Sequence, residues 1–302
     1  MEKIITFLGT SSMVPTKNRN VQSIHIRIKN ANFLIDCGEG TQRQMNIAGI
    51  NRNKLDAILI THWHADHTSG LTGLLQTRCQ IESQTPLKII GPQGTTEFIT
   101  HILQSCYFSK RPDIEIIELE KSNVPKEITT IQNMTIKYLS LNHGVPCVAY
   151  RLEEEPTTKI NIEKLTEKGL TRGPKIGKLQ RGHDVEHEGK TLKAKDYTFQ
   201  KKGHKVCAIL DTKYSSNHYK IAKDVDILIC ESTYDHNLTE KAQEYKHMTG
   251  TQAAKIAEKA NVKKLLLTHF SQRYSSTKTI ENEAKAIFSN TACANDFQQE
   301  IL

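Results

Sequence analysis

The chain has 302 residues, of which 37% are hydrophobic and 25% are charged. This length favours one large α/β domain carrying an insertion, and the composition argues against global disorder. No apolar run reaches the roughly 20 residues of a membrane helix, and the opening MEKIITFLGTSS lacks the features of a signal peptide. The seven cysteines form no CxxC pair, so we expect a cytoplasmic protein without a disulfide framework or zinc ribbon.

The positive charge is concentrated in one segment. The formal net charge is +8, and residues 158–205 hold 13 Lys and Arg against 6 Asp and Glu, which leaves the rest of the chain close to neutral. Many basic runs are only solvated faces. Such complete segregation favours a polyanionic partner.

Predicted strands occur in both halves of the chain. In chain order they are KIITFLG, SIHIRI, ANFLI, residues 55–61, LKIIGP, IEIIELE, MTIKYLSLNH, VAYRLE, KVCAIL, DILICE and KKLLLT. Helices are predicted after Asp36, from about residue 69, over 249–260 and over 276–289. The pattern indicates two sheets with helices outside them, a four-layer αββα arrangement of α/β class.

The basic segment differs from the rest of the chain. Residues 153–204 hold few apolar runs, and in KGLTRGPKIGKLQRGHD the glycines and a proline interrupt any periodicity. We therefore expect an insertion that projects from a single domain covering 1–302 and does not belong to its core.

Four potential metal ligands follow the apolar strand AILIT. They are His62, His64, Asp66 and His67, in the pattern HxHxDH. Imidazole and carboxylate donors suit Zn²⁺, and a dinuclear hydrolytic site divides its ligands between two metals about 3.5–4 Å apart. The spacing predicts such a site, because the two halves of the motif can turn toward different points.

Three further polar residues each directly follow an apolar run. His143 follows MTIKYLSLN, Asp211 follows VCAIL and His269 follows KKLLLT. Each is weak evidence alone, but the ends of strands can meet at one sheet edge. With HxHxDH they complete a predicted set of seven ligands.

These motifs resemble the metallo-β-lactamase superfamily and, within it, the short-form tRNase Z (ribonuclease Z) group. Four more strings carry the resemblance: PTKNRN at 15–20, LIDCGEGTQRQM with Asp36, HMTG at 247–250 and HFSQRY at 269–274. The likeness runs from residue 5 to about 275. It departs mildly where ILDT replaces GDT and HMTG replaces an HST-type string.

The resemblance implies roles for the site residues. His62, His64 and His143 would hold one zinc, Asp66, His67 and His269 the other, and Asp211 would bridge the two Zn²⁺ ions of each subunit. Asp66 would also orient the attacking water, and His247 would protonate the departing oxygen. Glu231 would orient His247, although an ordinary carboxylate at a strand end is the alternative.

The resemblance also implies a substrate, precursor tRNA, whose 3′ trailer is removed to leave a 3′-hydroxyl. The basic segment resembles the family's flexible tRNA-gripping arm, and its cations would displace phosphate counterions. Only Tyr197 and Phe199 provide aromatic rings there, which favours recognition by shape and phosphate. The predicted substrate-binding residues are Lys17, Arg19, Asn20, Arg172, Lys175, Lys178, Arg181 and Arg273. The resemblance further implies a homodimer, and we expect no nucleotide cofactor.

Two other interpretations remain open at the level of sequence. One is a dinuclear-zinc phosphodiesterase or thioesterase for a small molecule, against which the basic segment and PTKNRN count. The other is an RNA-binding protein with a structural zinc, although structural sites are usually closed and mononuclear.

Overall fold

The computed structural model describes residues 3–80 and 86–302. Within these residues, the strands are β1 Lys3–Gly9, β2 Ser23–Ile28, β3 Ala31–Ile35, β4 Ala57–Leu59, β5 Leu87–Pro92, β6 Ile114–Leu119, β7 Lys126–Ile131, β8 Met134–Asn142, β9 Pro146–Glu154, β10 Thr157–Ile160, β11 Val185–His187, β12 Lys190–Leu192, β13 Thr198–Lys201, β14 Lys205–Ile209, β15 Ile227–Glu231, β16 Lys264–Thr268, β17 Thr291–Cys293 and β18 Gln299–Ile301.

The helices of the same residues are short. They are α1 Thr41–Ile47, α2 Ala65–Thr68, α3 Leu71–Arg78, α4 Thr95–Gln104, α5 Ile162–Thr166, α6 Pro174–Gln180, α7 Ala194–Tyr197, α8 Tyr219–Ala222, α9 Thr239–Glu244, α10 Gly250–Lys259 and α11 Lys278–Lys285. No helix in the described ranges combines the length and the hydropathy needed to cross a membrane.

Two mixed sheets of seven strands each form the framework. The first has the order β18-β1-β2-β3-β4-β5-β6, and the second has the order β17-β16-β15-β14-β9-β8-β7. Strands β3 to β6 run parallel in the first sheet, as do β14 to β17 in the second. The carboxyl ends of each parallel set therefore lie along one edge of their sheet.

Three apolar clusters define the layers. The first combines side chains of both sheets, such as Phe33 and Tyr150, and fills the space between them. The second joins the other face of the β14–β17 sheet to α8, α10 and α11. The third joins the other face of the β3–β6 sheet to α1, α3 and α4. The predicted four-layer αββα arrangement is confirmed, because the buried side chains alternate between these layers.

Several predicted boundaries were wrong. The strand expected over 55–61 covers only Ala57–Leu59. The helix expected from about residue 69 is instead two helices, because α2 ends at Thr68 and α3 begins at Leu71, on either side of Gly70. A Cβ at Gly70 would lie 2.3 Å from the carbonyl oxygen of Gly38, so close backbone packing interrupts the helix there. The last helix is shorter than 276–289, and α4, β7, β17 and β18 were not predicted.

The basic segment forms a compact unit of its own, Glu154–His204, separate from the unit made by the chain up to Glu153 and from Lys205 onward. Strand β10 pairs with β13 and β11 with β12. Leu165, Leu179 and Val185 belong to a small buried cluster within it. The glycines and proline of this segment do not prevent a folded unit, because Pro174 begins α6, where a missing N–H costs nothing.

Candidate metal centre

The candidate site is built from residues that follow the ends of strands. His62 comes shortly after β4, and His143 directly follows β8. Asp211 follows β14, Glu231 ends β15, and His269 directly follows β16. Since parallel strands end at a common edge, the fold brings residues together that are up to 207 positions apart in the sequence.

Three of the residues in this region have left-handed backbone conformations. The φ angles are 57° at Asp36, 39° at Asp211 and 60° at His269. Residues other than glycine rarely adopt such angles, and strained backbone concentrates at functional sites. Each residue lies where the chain leaves a strand, so the turn aims its side chain across the sheet edge.

A first group of potential ligand atoms consists of three imidazole nitrogens. His62 Nε2 lies 3.0 Å from His64 Nδ1, and His143 Nε2 lies 3.2 Å from the same atom. His62 and His143 are buried, whereas His64 is exposed. The three nitrogens converge on one point, and the site opens to solvent on the side of His64.

A second group combines a carboxylate with two imidazoles. Asp66 Oδ2 lies 3.4 Å from His67 Nε2 and 3.6 Å from His269 Nε2. The two histidine nitrogens are 3.3 Å apart. Asp66 Oδ2 also accepts a hydrogen bond of 2.8 Å from the backbone N–H of Met13, which fixes the carboxylate against the PTKNRN side of the site.

Asp211 lies between the two groups. Its Oδ1 is 3.4 Å from His67 Nε2 and 3.2 Å from His269 Nε2. Its Oδ2 is 3.9 Å from His62 Nε2 and 3.7 Å from His143 Nε2. One carboxylate oxygen therefore faces each group, which is the arrangement a bridging ligand requires.

The chemistry of these donors fits a cation. Asp211 Oδ1 is a buried oxygen without a hydrogen-bond partner among the described residues, and an unsatisfied buried carboxylate oxygen is costly unless a cation compensates it. Burial raises the pKa of Asp211, but the charges of His269 and His67 outweigh burial and lower it. The site thus presents an anionic oxygen and several imidazole nitrogens, the donor set of zinc sites.

Polar groups behind the ligands fix the orientation of their rings. Each of four rings contacts a polar atom through its Nδ1. His67 Nδ1 lies 2.7 Å from Asp36 Oδ2, and His269 Nδ1 lies 3.1 Å from Thr233 Oγ1. His143 Nδ1 lies 3.0 Å from the Lys246 carbonyl, and His62 Nδ1 lies 3.1 Å from Thr61 Oγ1. Such contacts leave Nε2 of each ring directed at the site. Sequence reasoning assigned no role to Asp36 or Thr233, although Asp36 also follows a strand, the signal used for the ligands.

His247 and Glu231 form a pair beside the ligands. The Nδ1–H of His247 donates to Glu231 Oε2 at 3.1 Å. The fully buried Glu231 also accepts from the backbone N–H of Thr212 and Met248 and from the hydroxyl of Thr233. Burial lowers the pKa of His247, but Glu231 and Asp211 outweigh burial and raise it to about 9. The carboxylate is therefore fixed by the main chain, and its charge favours the protonated form of the partly buried His247 ring.

The predicted substrate-binding residues have different surroundings. Lys17 and Arg273 are exposed, and Arg273 lies over the ring of Tyr234. Arg19 donates to the carbonyl of Tyr274, and the side chain of Asn20 donates to the carbonyl of Glu39. Arg19 and Asn20 therefore hold loops of their own chain together. The remaining four, Arg172, Lys175, Lys178 and Arg181, are exposed on the Glu154–His204 unit.

The fold and this donor set define a metal-dependent hydrolase of the metallo-β-lactamase class. The solved structure of the metallo-beta-lactamase fold protein YhfI from Bacillus subtilis matches with a TM-score of 0.71 at 20% identity, over 99% of this chain and all of that one. A family model described as "Anti-Pycsar protein Apyc1" matches residues 3–154. That model reaches the first five predicted ligands and ends before Asp211.

Similarity over the whole length identifies the branch. Ribonuclease Z of Methanothermobacter thermautotrophicus is 39% identical over 97% of this chain and 94% of its own length. The crystal structure of the short form of human tRNase Z matches with a TM-score of 0.70 and 25% identity, over 98% of both chains. The chain belongs to the ribonuclease Z family.

Proposed function

We propose that this protein is a metal-dependent endoribonuclease that removes the 3′ trailer of precursor tRNA and leaves a 3′-hydroxyl on the tRNA. The likeness to ribonuclease Z carries this proposal, because it spans 97% of the chain. The likeness therefore includes the proposed ligands and nearly all of the Glu154–His204 unit. A likeness confined to the ligands would leave the substrate open, since one fold hosts many reactions.

We further propose two Zn²⁺ ions per subunit, held by the two ligand groups with Asp211 between them. When bound, such ions lower the pKa of water and stabilise charge on a phosphoryl oxygen. Nitrogen donors from five histidines favour zinc over magnesium or calcium. The carboxylate of Asp66, next to the exposed His64, is placed to orient a water molecule and to accept its proton.

His247 is the proposed proton donor to the departing 3′-oxygen. Its Nδ1 donates to Glu231, so Nε2 is the nitrogen that can face the substrate. A phosphodiester cleaved to give a 3′-hydroxyl needs one proton on that oxygen, and a positioned imidazolium supplies it. Glu231 contacts no substrate in this proposal and acts by orienting His247.

The exposed cations of the Glu154–His204 unit are proposed to bind the tRNA body away from the cleaved bond. Phosphate contacts position an RNA without performing chemistry. We also propose a cytoplasmic location, because the seven cysteines lack the paired spacing of a disulfide framework. We also propose that the protein is a homodimer. Analytical ultracentrifugation of the metal-loaded protein tests this by showing whether it sediments as a dimer.

The function is tested by incubating purified protein with a precursor tRNA that carries a 3′ trailer and mapping both product ends. The expected products are a tRNA with a 3′-hydroxyl and a trailer with a 5′-phosphate. Hydrolysis of bis(p-nitrophenyl) phosphate without any tRNA cleavage would instead support the small-molecule phosphodiesterase. Asp211→Ala is the matched control, because any remaining cleavage by that variant would indicate a contaminating nuclease.

A further inference from the structure

A loop that begins at Thr10 and ends at Asn20 reaches the proposed metal centre through its main chain. The loop leaves β1 at the sheet edge where β3 and β4 also end, because β1 points the same way as β3. Within the loop, the backbone N–H of Met13 donates to Asp66 Oδ2 at 2.8 Å. Asp66 is the carboxylate proposed to orient the attacking water, so the position of the Met13 N–H bears on the chemistry.

The main chain at Met13 needs support from elsewhere in the loop. Its φ of 62° is a left-handed conformation that residues other than glycine rarely adopt and that costs free energy. The Met13 side chain is 77% exposed, so its packing contributes little to holding this conformation. The contacts that keep the Met13 N–H against Asp66 must therefore come from the ends and sides of the loop.

The two ends of the loop meet at one carboxylate, that of Asp296. The hydroxyl of Thr10 donates to Oδ1 at 2.8 Å, and the backbone N–H of Asn20 donates to Oδ2 at 2.7 Å. The side chain of Gln44 donates to the same Oδ2 at 3.2 Å. Next to these contacts, the N–H of Ser11 donates to the Asn20 carbonyl at 2.8 Å. Because hydrogen bonds to a carboxylate are stronger than those between neutral groups, Asp296 closes the loop at its base.

The segment that carries Asp296 is itself anchored to both sheets. It joins β17 of the second sheet to β18 of the first. The N–H of Ala294 donates to the Leu267 carbonyl of β16 at 2.8 Å, and the N–H of Phe297 donates to the Phe7 carbonyl of β1 at 2.7 Å. Asp296 thus ties the loop to the framework of the domain.

A second attachment holds one side of the loop. The N–H of Ser12 donates to the Phe270 carbonyl at 2.9 Å, and the guanidinium of Arg19 donates to the Tyr274 carbonyl at 3.1 Å. Loss of Asp296 should therefore displace the loop without unfolding it. A small displacement is enough to matter, since misplacing a reacting group by about 1 Å can lower a rate by about 10²-fold.

We infer that Asp296 is a positioning residue for the proposed cleavage: it closes the base of the 10–20 loop and so holds the Met13 N–H against the carboxylate of Asp66. The inference rests on the proposed function. Since Asp66 would orient the water that attacks any phosphodiester, the effect should not depend on the presence of tRNA. A residue of the loop that only contacted RNA would instead affect the binding of tRNA alone.

The test compares Asp296→Ala with a matched variant, Asp56→Ala. Asp56 is also a half-buried carboxylate that accepts a backbone N–H, from Asn32 at 2.8 Å, but it precedes β4, at the edge opposite the proposed ligands. Per metal-loaded molecule, Asp296→Ala should lower both the single-turnover cleavage of precursor tRNA and kcat for bis(p-nitrophenyl) phosphate by about 10–100-fold. Asp56→Ala should leave both within about twofold of wild type. Metal content and thermal midpoints, measured on both variants, separate this effect from a loss of folded protein.

Two milder variants provide the test if Asp296→Ala is poorly folded. Asp296→Asn keeps an acceptor for the Asn20 N–H and gains a donor for the Thr10 hydroxyl, so it should retain kcat within about fivefold. Thr10→Val removes one contact at nearly constant shape and should lower kcat by about threefold, the scale of one hydrogen bond. Added to Asp296→Ala, it should cost less than about twofold more, because the contact is already lost.

Equal rates per metal-loaded molecule in Asp296→Ala and Asp56→Ala would overturn the inference. A loss confined to KM for precursor tRNA, an equal loss in Asp296→Asn and Asp296→Ala, or full additivity with Thr10→Val would overturn it as well. Each of these outcomes leaves the proposed function intact. Failure of wild type to cleave any precursor tRNA would overturn the proposed function, and hydrolysis of bis(p-nitrophenyl) phosphate would still show whether Asp296 positions Asp66.

Discussion

Asp36 accepts a 2.7 Å hydrogen bond from Nδ1–H of His67, and this contact directs His67 Nε2 at Asp211 and Asp66. Asp36 is fully buried and also accepts from the backbone N–H and hydroxyl of Thr61. Its left-handed φ of 57° is what brings the carboxylate back against the next strand. A residue outside the proposed ligand set thus determines how one proposed ligand points.

Asp36→Asn should weaken metal binding by about 10–100-fold, the usual cost of altering a partner of a ligating histidine. The amide keeps an acceptor for Thr61 but weakens the orientation and charge behind His67. Competition with a chelator measures the change. Asp224→Asn is the matched control, since Asp224 is exposed and contacts Asn261 at the surface. Equal metal affinity in both variants would contradict the role of Asp36.

His64→Ala and Asp211→Ala should both abolish tRNA cleavage and reduce bound metal, because each removes a proposed ligand. Metal analysis of the purified variants measures this directly. Two metals retained with intact activity would overturn the ligand assignment.

His247→Ala should behave differently from the ligand variants. Metal content should stay normal while the cleavage rate falls by about 10²–10⁴-fold, the range for loss of a general acid. Concurrent loss of metal would show that His247 is itself a ligand. Single-turnover cleavage, measured beside metal content, separates these results.

Glu231→Gln should lower kcat with little change in KM, because Glu231 orients His247 and contacts no substrate in our proposal. The two changes should not be additive: in the His247→Ala background, Glu231→Gln should cost less than about twofold. A full additional decrease in the double variant would indicate a role of Glu231 that is independent of His247.

The pattern of apolar runs was enough to predict the two sheets and the sheet edge where the predicted ligand residues meet. His143, Asp211 and His269 could be located because each follows a strand, and parallel strands end together. The residues behind them could not be assigned in this way. The contacts of Thr233 and of the Lys246 carbonyl with the histidine rings depend on the tertiary structure alone. A hydroxyl or a main-chain oxygen has no sequence feature that predicts such a contact.

The internal structure of the basic segment could not be predicted from the sequence pattern. Its six buried apolar residues are spread over about 30 positions and produce no visible period. Arg19 and Asn20 show a related limit. Both side chains hydrogen-bond to backbone carbonyls, which their motif did not predict, and their contacts with substrate stay a prediction. Sequence alone does not distinguish a cation or amide used within the chain from one that faces a partner.

The buried His25 should make stability depend on pH. Burial, aided by the charge of Arg27, lowers the pKa of His25 to about 4, below the value of about 6.5 for an unfolded chain. Between these values only the unfolded state takes up the proton, so stability falls as pH falls. The decrease from pH 7 to 5 should be about 2 kcal/mol for this group. Urea unfolding of wild type and His25→Gln at both pH values should show a smaller decrease in the variant.

Removal of the Glu154–His204 unit should separate substrate binding from chemistry. Glu153 on β9 pairs directly with Lys205 on β14, so a short Asn-Gly turn in place of residues 155–203 can close these strands as a hairpin. We expect the deletion protein to retain its metals and to hydrolyse bis(p-nitrophenyl) phosphate largely as wild type does. Cleavage of precursor tRNA should fall steeply, mainly through weaker binding.

The salt dependence of tRNA binding supplies the decisive measurement for this unit. For every phosphate that the deletion protein no longer binds, the slope of log affinity against log salt should flatten by about 0.7–0.9. Replacing Arg172, Lys175, Lys178 and Arg181 by Ala should flatten it in the same way. The matched control removes the same charge elsewhere, by replacing the exposed residues Lys255, Lys259, Lys263 and Lys278 by Ala. This control should change the slope less. Equal slopes and affinities in wild type and the deletion would show that the unit is only a solvated basic face, and the metal-dependent hydrolase would stand without it.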